Sequence, residues 1–296
     1  MTKTLLENNR DHGGGLDRAI ARFGGSRIGW IDLSTGINPH PYPIAQLPAD
    51  AWTALPDKAA YADLTNAARA FWSIPDAAGL IAASGASALI AQIPGLLPPG
   101  RVSIPGPTYN EHAAAFRAAG WYTAEALPPD AQVVVHPNNP DGRIWSKEYL
   151  TDQNAKLTII DESFCDVAPA HSLIEMTQNP RTLILKSFGK FWGWAVSGPA
   201  LHIGATALAD TGWARASRLR LAEDSMRLDA LMQIAGAKVI GGTSLFRLYD
   251  VGDANLWQNR LAKLHIWSRT FPYEPRWLRL GLPHTLQWPR VEEALK

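Results

Sequence analysis

Four short apolar runs, Arg101 to Ile104, Gln132 to Val135, Leu157 to Ile160 and Thr182 to Leu185, constrain this 296-residue chain more than any other feature. Each is closed by turn-forming residues. Runs this short and this apolar, with polar or helical stretches between them, suit strands buried on both faces of a parallel sheet. They predict an α/β architecture in which helices sandwich a mostly parallel central sheet. Sheets of that kind bind ligands just past the carboxyl ends of their strands, so the residues that follow each run are the ones to read for chemistry.

Around the runs, Lys58 to Trp72 reads as an alanine-rich helix, and Ala86 to Ile93 as another that starts after Ser84-Gly85 and stops at Pro94. Beyond residue 204 the pattern changes. Ala205 to Ala235 reads as one long helix, followed by the apolar run Lys238 to Ile240, the segment Leu245 to Leu248, a helix near Ala254 to Leu264, and Trp277 to Gly281. This predicts a smaller α+β domain at 205–296, joined by an N-terminal arm at 1–43, beside a large domain at 44–204.

Composition narrows the function classes. A net charge of +1, from 28 basic and 27 acidic residues, gives no field to draw nucleic acid or an anionic membrane. No apolar run is long enough to span a bilayer, and the polar, glycine-rich stretch Met1 to Asp17 is unlike a signal peptide. The single cysteine, Cys165, excludes an intramolecular disulfide, and no Cys/His cluster has metal-ligand spacing. The expected setting is the cytoplasm, with no metal.

The chemistry falls where the strands end. Asp161 follows the third run, Lys190 lies five residues past the fourth, and Asn139 sits in the turn His136-Pro137-Asn138-Asn139-Pro140-Asp141-Gly142. A lysine able to form a Schiff base, a carboxylate able to keep a pyridine nitrogen protonated, and an amide on a tight turn are the groups that pyridoxal phosphate asks of a protein. Phe188, Phe191 and Trp192 flank Lys190, and aromatic neighbours desolvate an amine and favour its neutral, reactive form. Singly, every one of these residues has a plainer explanation. Asp161 also suits a helix cap and Tyr109 a core position; Ser187 suits a turn, Ala86-Ser87 an ordinary helix start, and Arg279 a surface ion pair. Their order and spacing favour the cofactor reading.

From roughly Ser34 to Gly281 the chain resembles the fold-type I pyridoxal phosphate family of class I/II aminotransferases. Within it, His12-Gly13-Gly14, Asp32-Leu33-Ser34-Thr35-Gly36-Ile37-Asn38-Pro39, Asp161-Glu162-Ser163-Phe164 and Gly241-Gly242-Thr243-Ser244-Leu245-Phe246 are similar to the threonine-phosphate decarboxylases of cobalamin biosynthesis. Phe164, where many aminotransferases carry a tyrosine, agrees with that branch. The resemblance implies decarboxylation of a phosphorylated amino acid, L-threonine O-3-phosphate, to (R)-1-amino-2-propanol O-2-phosphate. It also implies a homodimer with sites near the subunit interface. It makes Lys190 the Schiff-base lysine, Asp161 the partner of the ring nitrogen, Asn139 the partner of the ring hydroxyl, and Tyr109 the stacking ring. Ala86, Ser87 and Ser187 then hold the cofactor phosphate. His12, Gly36, Asn38, Asn139 and Arg279 are placed at the substrate, Arg279 on its carboxylate, with Arg247 a further candidate for its phosphate.

The pattern departs in one respect. The family carries an arginine for the cofactor phosphate about eight residues beyond the lysine, whereas here Gly193 runs straight into Trp194 and position 198 is glycine. An internal shortening of a few tens of residues after Gly193 is expected. Two alternatives follow: a histidinol-phosphate-type aminotransferase, or a degenerate protein of this fold with weak or no activity.

Overall fold

The computed structural model describes residues 12–44, 46, 47, 57–123, 128–194 and 200–296. Expectations placed on residues 1–11 and on Gly198 lie outside them. In the arm, helix α1 (Leu16–Phe23) leads to strand β1 (Ile31–Asp32). Helix α2 (Lys58–Trp72) starts where the Asp57 carboxylate accepts the Ala60 N–H, and it buries Ala60, Leu64 and Ala68. Helix α3 (Ala86–Gln92) runs on into a 3-10 turn at Ile93–Leu96.

The predicted runs form strands. In chain order come β2 (Arg101–Ser103), helix α4 (Asn110–Ala118), β3 (Tyr122–Thr123), β4 (Ala131–Val135), helix α5 (Lys147–Asp152), β5 (Leu157–Asp161) and β6 (Thr182–Leu185). They make one sheet in the order β3-β2-β4-β5-β6, with every pairing parallel. All five residues of β4 and all five of β5 are buried, which is why these runs lack a polar alternation. Val102, Val133, Ile159 and Phe116 pack together on the sheet.

The stretch read as one helix from Ala205 to Ala235 is two: α6 (Ala200–Ala209) and α7 (Thr211–Ile234). Asp210 is the cause. Its carboxylate accepts the Trp213 N–H, capping a new helix where an unbroken one would continue. Next come β7 (Lys238–Thr243), β8 (Phe246–Asp250), helix α8 (Ala254–Ala262), β9 (Ile266–Trp267), β10 (Arg269–Phe271), β11 (Glu274–Gly281) and helix α9 (Trp288–Leu295). Strands β10-β11-β8-β7 form an antiparallel sheet, while β1 of the arm pairs in parallel with β9. The arm is thereby tied to the C-terminal part of the chain. Leu33, Phe164, Phe191, Phe246 and Leu280 share one hydrophobic cluster, so the two sheets meet around the segments that follow β5 and β6.

Candidate active site

The segments that leave β2, β4, β5 and β6 surround a cavity of about 440 Å³, to which they contribute Tyr109, Asn139, Phe164 and Lys190. The arm adds His12 and Gly36, and the antiparallel sheet adds Arg269 and Arg279. Only a sheet that gathers its strand ends in one place brings residues this distant in sequence together.

Asp161, the last residue of β5, is almost fully buried. Its Oδ1 accepts the Ser163 hydroxyl at 2.5 Å and the Ser163 N–H at 3.0 Å, and its Oδ2 lies 2.9 Å from Nε2 of His112. Burial alone pushes the carboxyl up. The bonds from His112 and Ser163 outweigh it and hold the group below its ordinary value, as a carboxylate. At Lys190 the balance runs the other way. Burial, then the Arg279 guanidinium, lower the amine from the usual lysine value, and Asp161 opposes them only in part. Its Nζ lies 5.4 Å from the centre of the Phe164 ring. The result is a half-buried amine held below the usual lysine value within reach of a buried anion's charge.

Asn139 is presented by a turn that its neighbour braces: Asn138 Nδ2 donates to Asp141 Oδ1 at 2.7 Å and to the Pro107 carbonyl at 3.0 Å. Gly142, at φ 74°, ends the turn, and a Cβ there would lie 2.0 Å from the Gly242 carbonyl oxygen. Asn139 Oδ1 accepts one N–H of Arg279, whose other terminal nitrogen donates to the Ser34 carbonyl at 2.7 Å while its guanidinium lies 5.1 Å over Phe246. In the arm, the Gly14 N–H donates to Ser34 Oγ at 2.7 Å, and a Cβ on Gly13 would stand 2.4 Å from the Ser34 oxygen. Small residues are needed there because the two chain segments nearly touch. His12 Nε2 sits 2.9 Å from Glu111 Oε1, and its ring centre is 6.0 Å from that of Tyr109.

Other sequence candidates stand elsewhere. The Asn38 amide donates to the Phe191 carbonyl at 2.9 Å and its N–H to the Lys190 carbonyl at 3.0 Å, so Asn38 holds the lysine's backbone and does not line the cavity. Ala86, Ser87 and Ser187 are also outside the lining; Ser187 Oγ accepts the Gly189 N–H, and Ser87 faces a separate groove between α3 and α4. Arg247 is engaged in a two-pronged ion pair with Asp229. His136, Glu162 and Cys165 cluster closely enough to suggest a metal site, but each has other work. His136 accepts the Trp145 N–H and bonds the His171 carbonyl, Glu162 takes Ser172, the Leu173 N–H and Lys186, and burial pushes the Cys165 thiol up.

Sequence reading missed two residues. His112 was hidden because α4 was not anticipated; it lies three residues after Tyr109, with ring centres 6.1 Å apart, and reaches Asp161 at the end of β5. Arg269 is directly opposite Arg279 in the β10–β11 pairing, and two arginines flanking the turn Pro272-Tyr273-Glu274 were the available signal.

The cavity offers the ring end of pyridoxal phosphate aromatic walls in Tyr109 and Phe164, the Asn139 amide and the Lys190 amine, while the buried Asp161 carboxylate is not itself a lining residue but lies close enough for its charge to act on Lys190. No family model matches the chain. It is 36% identical over 325 residues to a threonine-phosphate decarboxylase of Sinorhizobium sp, covering 96% of this chain and 97% of that one. A protein of the same description from Pseudomonas aeruginosa is 35% identical over 327 residues, with the same coverage. Among solved structures, a histidinol-phosphate aminotransferase from Sinorhizobium meliloti, in complex with pyridoxal-5'-phosphate, superposes with a TM-score of 0.78 at 17% identity, covering 95% of this chain and 93% of that one. Since 96% of 296 residues is about 284, the 325 positions of the Sinorhizobium match leave about forty with no counterpart here.

Proposed function

The chain belongs to the threonine-phosphate decarboxylase family, and on that footing we propose that it removes the carboxylate of L-threonine O-3-phosphate to give (R)-1-amino-2-propanol O-2-phosphate, a step of cobalamin biosynthesis. It is a pyridoxal phosphate-dependent carboxy-lyase of the fold-type I architecture. The observation that carries the reading is a Lys190 amine that lines one cavity with Asn139, Tyr109 and two arginines and that feels the charge of the buried Asp161 carboxylate.

When bound, pyridoxal phosphate supplies a carbonyl that captures an amine and a ring that draws electrons from the bonds at Cα. Lys190 would hold that carbonyl, Asp161 would keep a proton on the ring nitrogen, Asn139 would bond the ring hydroxyl, and Tyr109 would cover one face. The family resemblance gives the phosphate to Ala86, Ser87 and Ser187, none of which lines the cavity in this structure. Arg279, with its fork already directed by Asn139 and Ser34, would fix the substrate carboxylate, and the fixed direction of that group decides which bond at Cα breaks. Arg269 and His12, which line the same cavity as Gly36, would meet the substrate phosphate. Lys190 Nζ would take up a proton released by the substrate ammonium and, after carbon dioxide leaves, deliver it to Cα in place of the lost carboxylate.

The proposal includes a cytoplasmic homodimer. Ile81 is 74% exposed, and the groove between α3 and α4 is lined by Ile90, Ala91, Ala115 and Ala118 together with Ser87 and Glu111, a mixed surface that a second subunit would cover. The buried, unpaired Cys165 suits a reducing compartment, and among the described residues no helix is long and apolar enough to cross a membrane. The test is to supply purified protein with pyridoxal phosphate and threonine phosphate and to assay carbon dioxide and the amine product together. Equal amounts of both are expected. Formation of pyridoxamine phosphate without carbon dioxide would favour the aminotransferase alternative, and neither product would favour the degenerate one.

A further inference from the structure

Asp166 lies five residues past Asp161 in a 3-10 turn, is 4% exposed, and has no part in the chemistry above. Its carboxylate gathers contacts from both sides of Lys190. Downstream, the indole N–H of Trp192 donates to Oδ2 at 2.9 Å; upstream, the Lys186 ammonium stands 3.7 Å from Oδ1 and pairs with Glu162 as well. Trp72 of α2 donates to Oδ1 at 2.9 Å, and Arg218 of α7 donates to the Asp166 carbonyl at 2.7 Å. Trp192 is itself fully buried and stacked on Trp213, with ring centres 5.3 Å apart. Between Lys186 and Trp192 only Lys190 extends into the cavity, its backbone held by Asn38.

A buried carboxylate is costly unless its partners are in place, and three contacts to the carboxylate with a fourth to the backbone carbonyl fix the turn far more firmly than surface bonds do. We propose that Asp166 is the positioning residue for Lys190: by bonding the Trp192 indole and, together with the closer Glu162, balancing the Lys186 charge, it sets the span of the turn between them and so the place of the amine in the cavity. This rests on the reading of Lys190 as the cofactor-bearing lysine. In reactions of a held amine, a displacement of about 1 Å lowers rates on the order of a hundredfold, so a loosened turn has a measurable consequence well short of unfolding.

The test compares Asp166→Asn, Trp192→Phe, Lys186→Arg and Lys186→Met with the parent chain. The rate at which pyridoxal phosphate and cyanoborohydride label Lys190 is followed by peptide mass spectrometry across pH, beside circular dichroism and melting temperature. Trp192→Phe removes the N–H donor together with part of a fully buried ring, so its melting temperature is read beside its labelling rate. Expected are Lys190 labelling slowed about tenfold or more in Asp166→Asn and Lys186→Met, and severalfold in Trp192→Phe, with near-parent rates in Lys186→Arg. The pH dependence of labelling should also move upward as the amine loses its half-buried setting, and kcat should fall while KM changes little. Folded variants that label Lys190 at the parent rate and pH would overturn the proposal, and if Asp166→Asn does not fold, Trp192→Phe decides by the same criterion. A parent chain that never labels at Lys190 overturns the functional reading itself, and this proposal with it.

Discussion

Replacing His112 with phenylalanine keeps an aromatic ring of similar size in a site that is 1% exposed, and removes the nitrogen 2.9 Å from Asp161 Oδ2. Oδ1 keeps both of its Ser163 bonds, so the variant isolates one contact to one oxygen. A hydrogen bond to a charged group contributes about 1.5–3 kcal/mol, and its loss here falls on a carboxylate that burial already penalises. Since about 1.4 kcal/mol corresponds to a tenfold change, kcat is expected to fall roughly 10- to 150-fold. The sign of the pH effect follows from the depressed carboxyl. In the parent, ionised Asp161 contributes above its unfolded value and is lost as pH falls through the lower folded one, so removing a stabilising partner moves the acid limb of the kcat profile upward. The assay is carbon dioxide release at saturating threonine phosphate from acid to neutral pH. A kcat within twofold of the parent with an unmoved acid limb would refute the view that His112 keeps Asp161 charged.

Arg279→Lys and Arg269→Gln should each raise KM for threonine phosphate, by about 10- to 100-fold if a charge-assisted bond is lost; an unchanged KM removes the residue from the substrate site. The Lys190 amine, lowered first by burial and then by Arg279, should be labelled competitively with a pH midpoint below that of ordinary exposed lysines, and a midpoint at or above theirs contradicts its half-buried setting. Gly142→Ala meets both a positive φ and the Gly242 carbonyl, so denaturant titration should show a loss of about 1–3 kcal/mol, whereas parent-like stability would mean the turn is not braced as described.

Much of the large sheet was legible because strands buried on both faces leave continuous apolar runs: β4 to β6 fall within a residue of the runs that foretold them. Asp161 ends one of those strands, and Asn139 and Lys190 follow two others by four and five residues, the positions at which a parallel sheet directs attention to side chains. What failed depends on tertiary context. Asp210 looked like one more polar position in a helix until its side chain was seen to cap Trp213, and α4 went unread although it begins at Asn110 beside Tyr109. Asn38 was assigned to the substrate because of its motif, yet its amide reaches Phe191, 153 residues away, a contact no local pattern carries. Arg269 became visible only once β10 and β11 paired in register.

The central claim is that one cavity holds pyridoxal phosphate between Lys190 and Asp161, and a crystal structure of the chain grown with the cofactor tests it most directly. The account predicts a covalent link from the cofactor carbonyl carbon to Lys190 Nζ, with the ring nitrogen within hydrogen-bond distance of Asp161. Cofactor bound to any other lysine, or seated with its nitrogen turned away from Asp161, would contradict it.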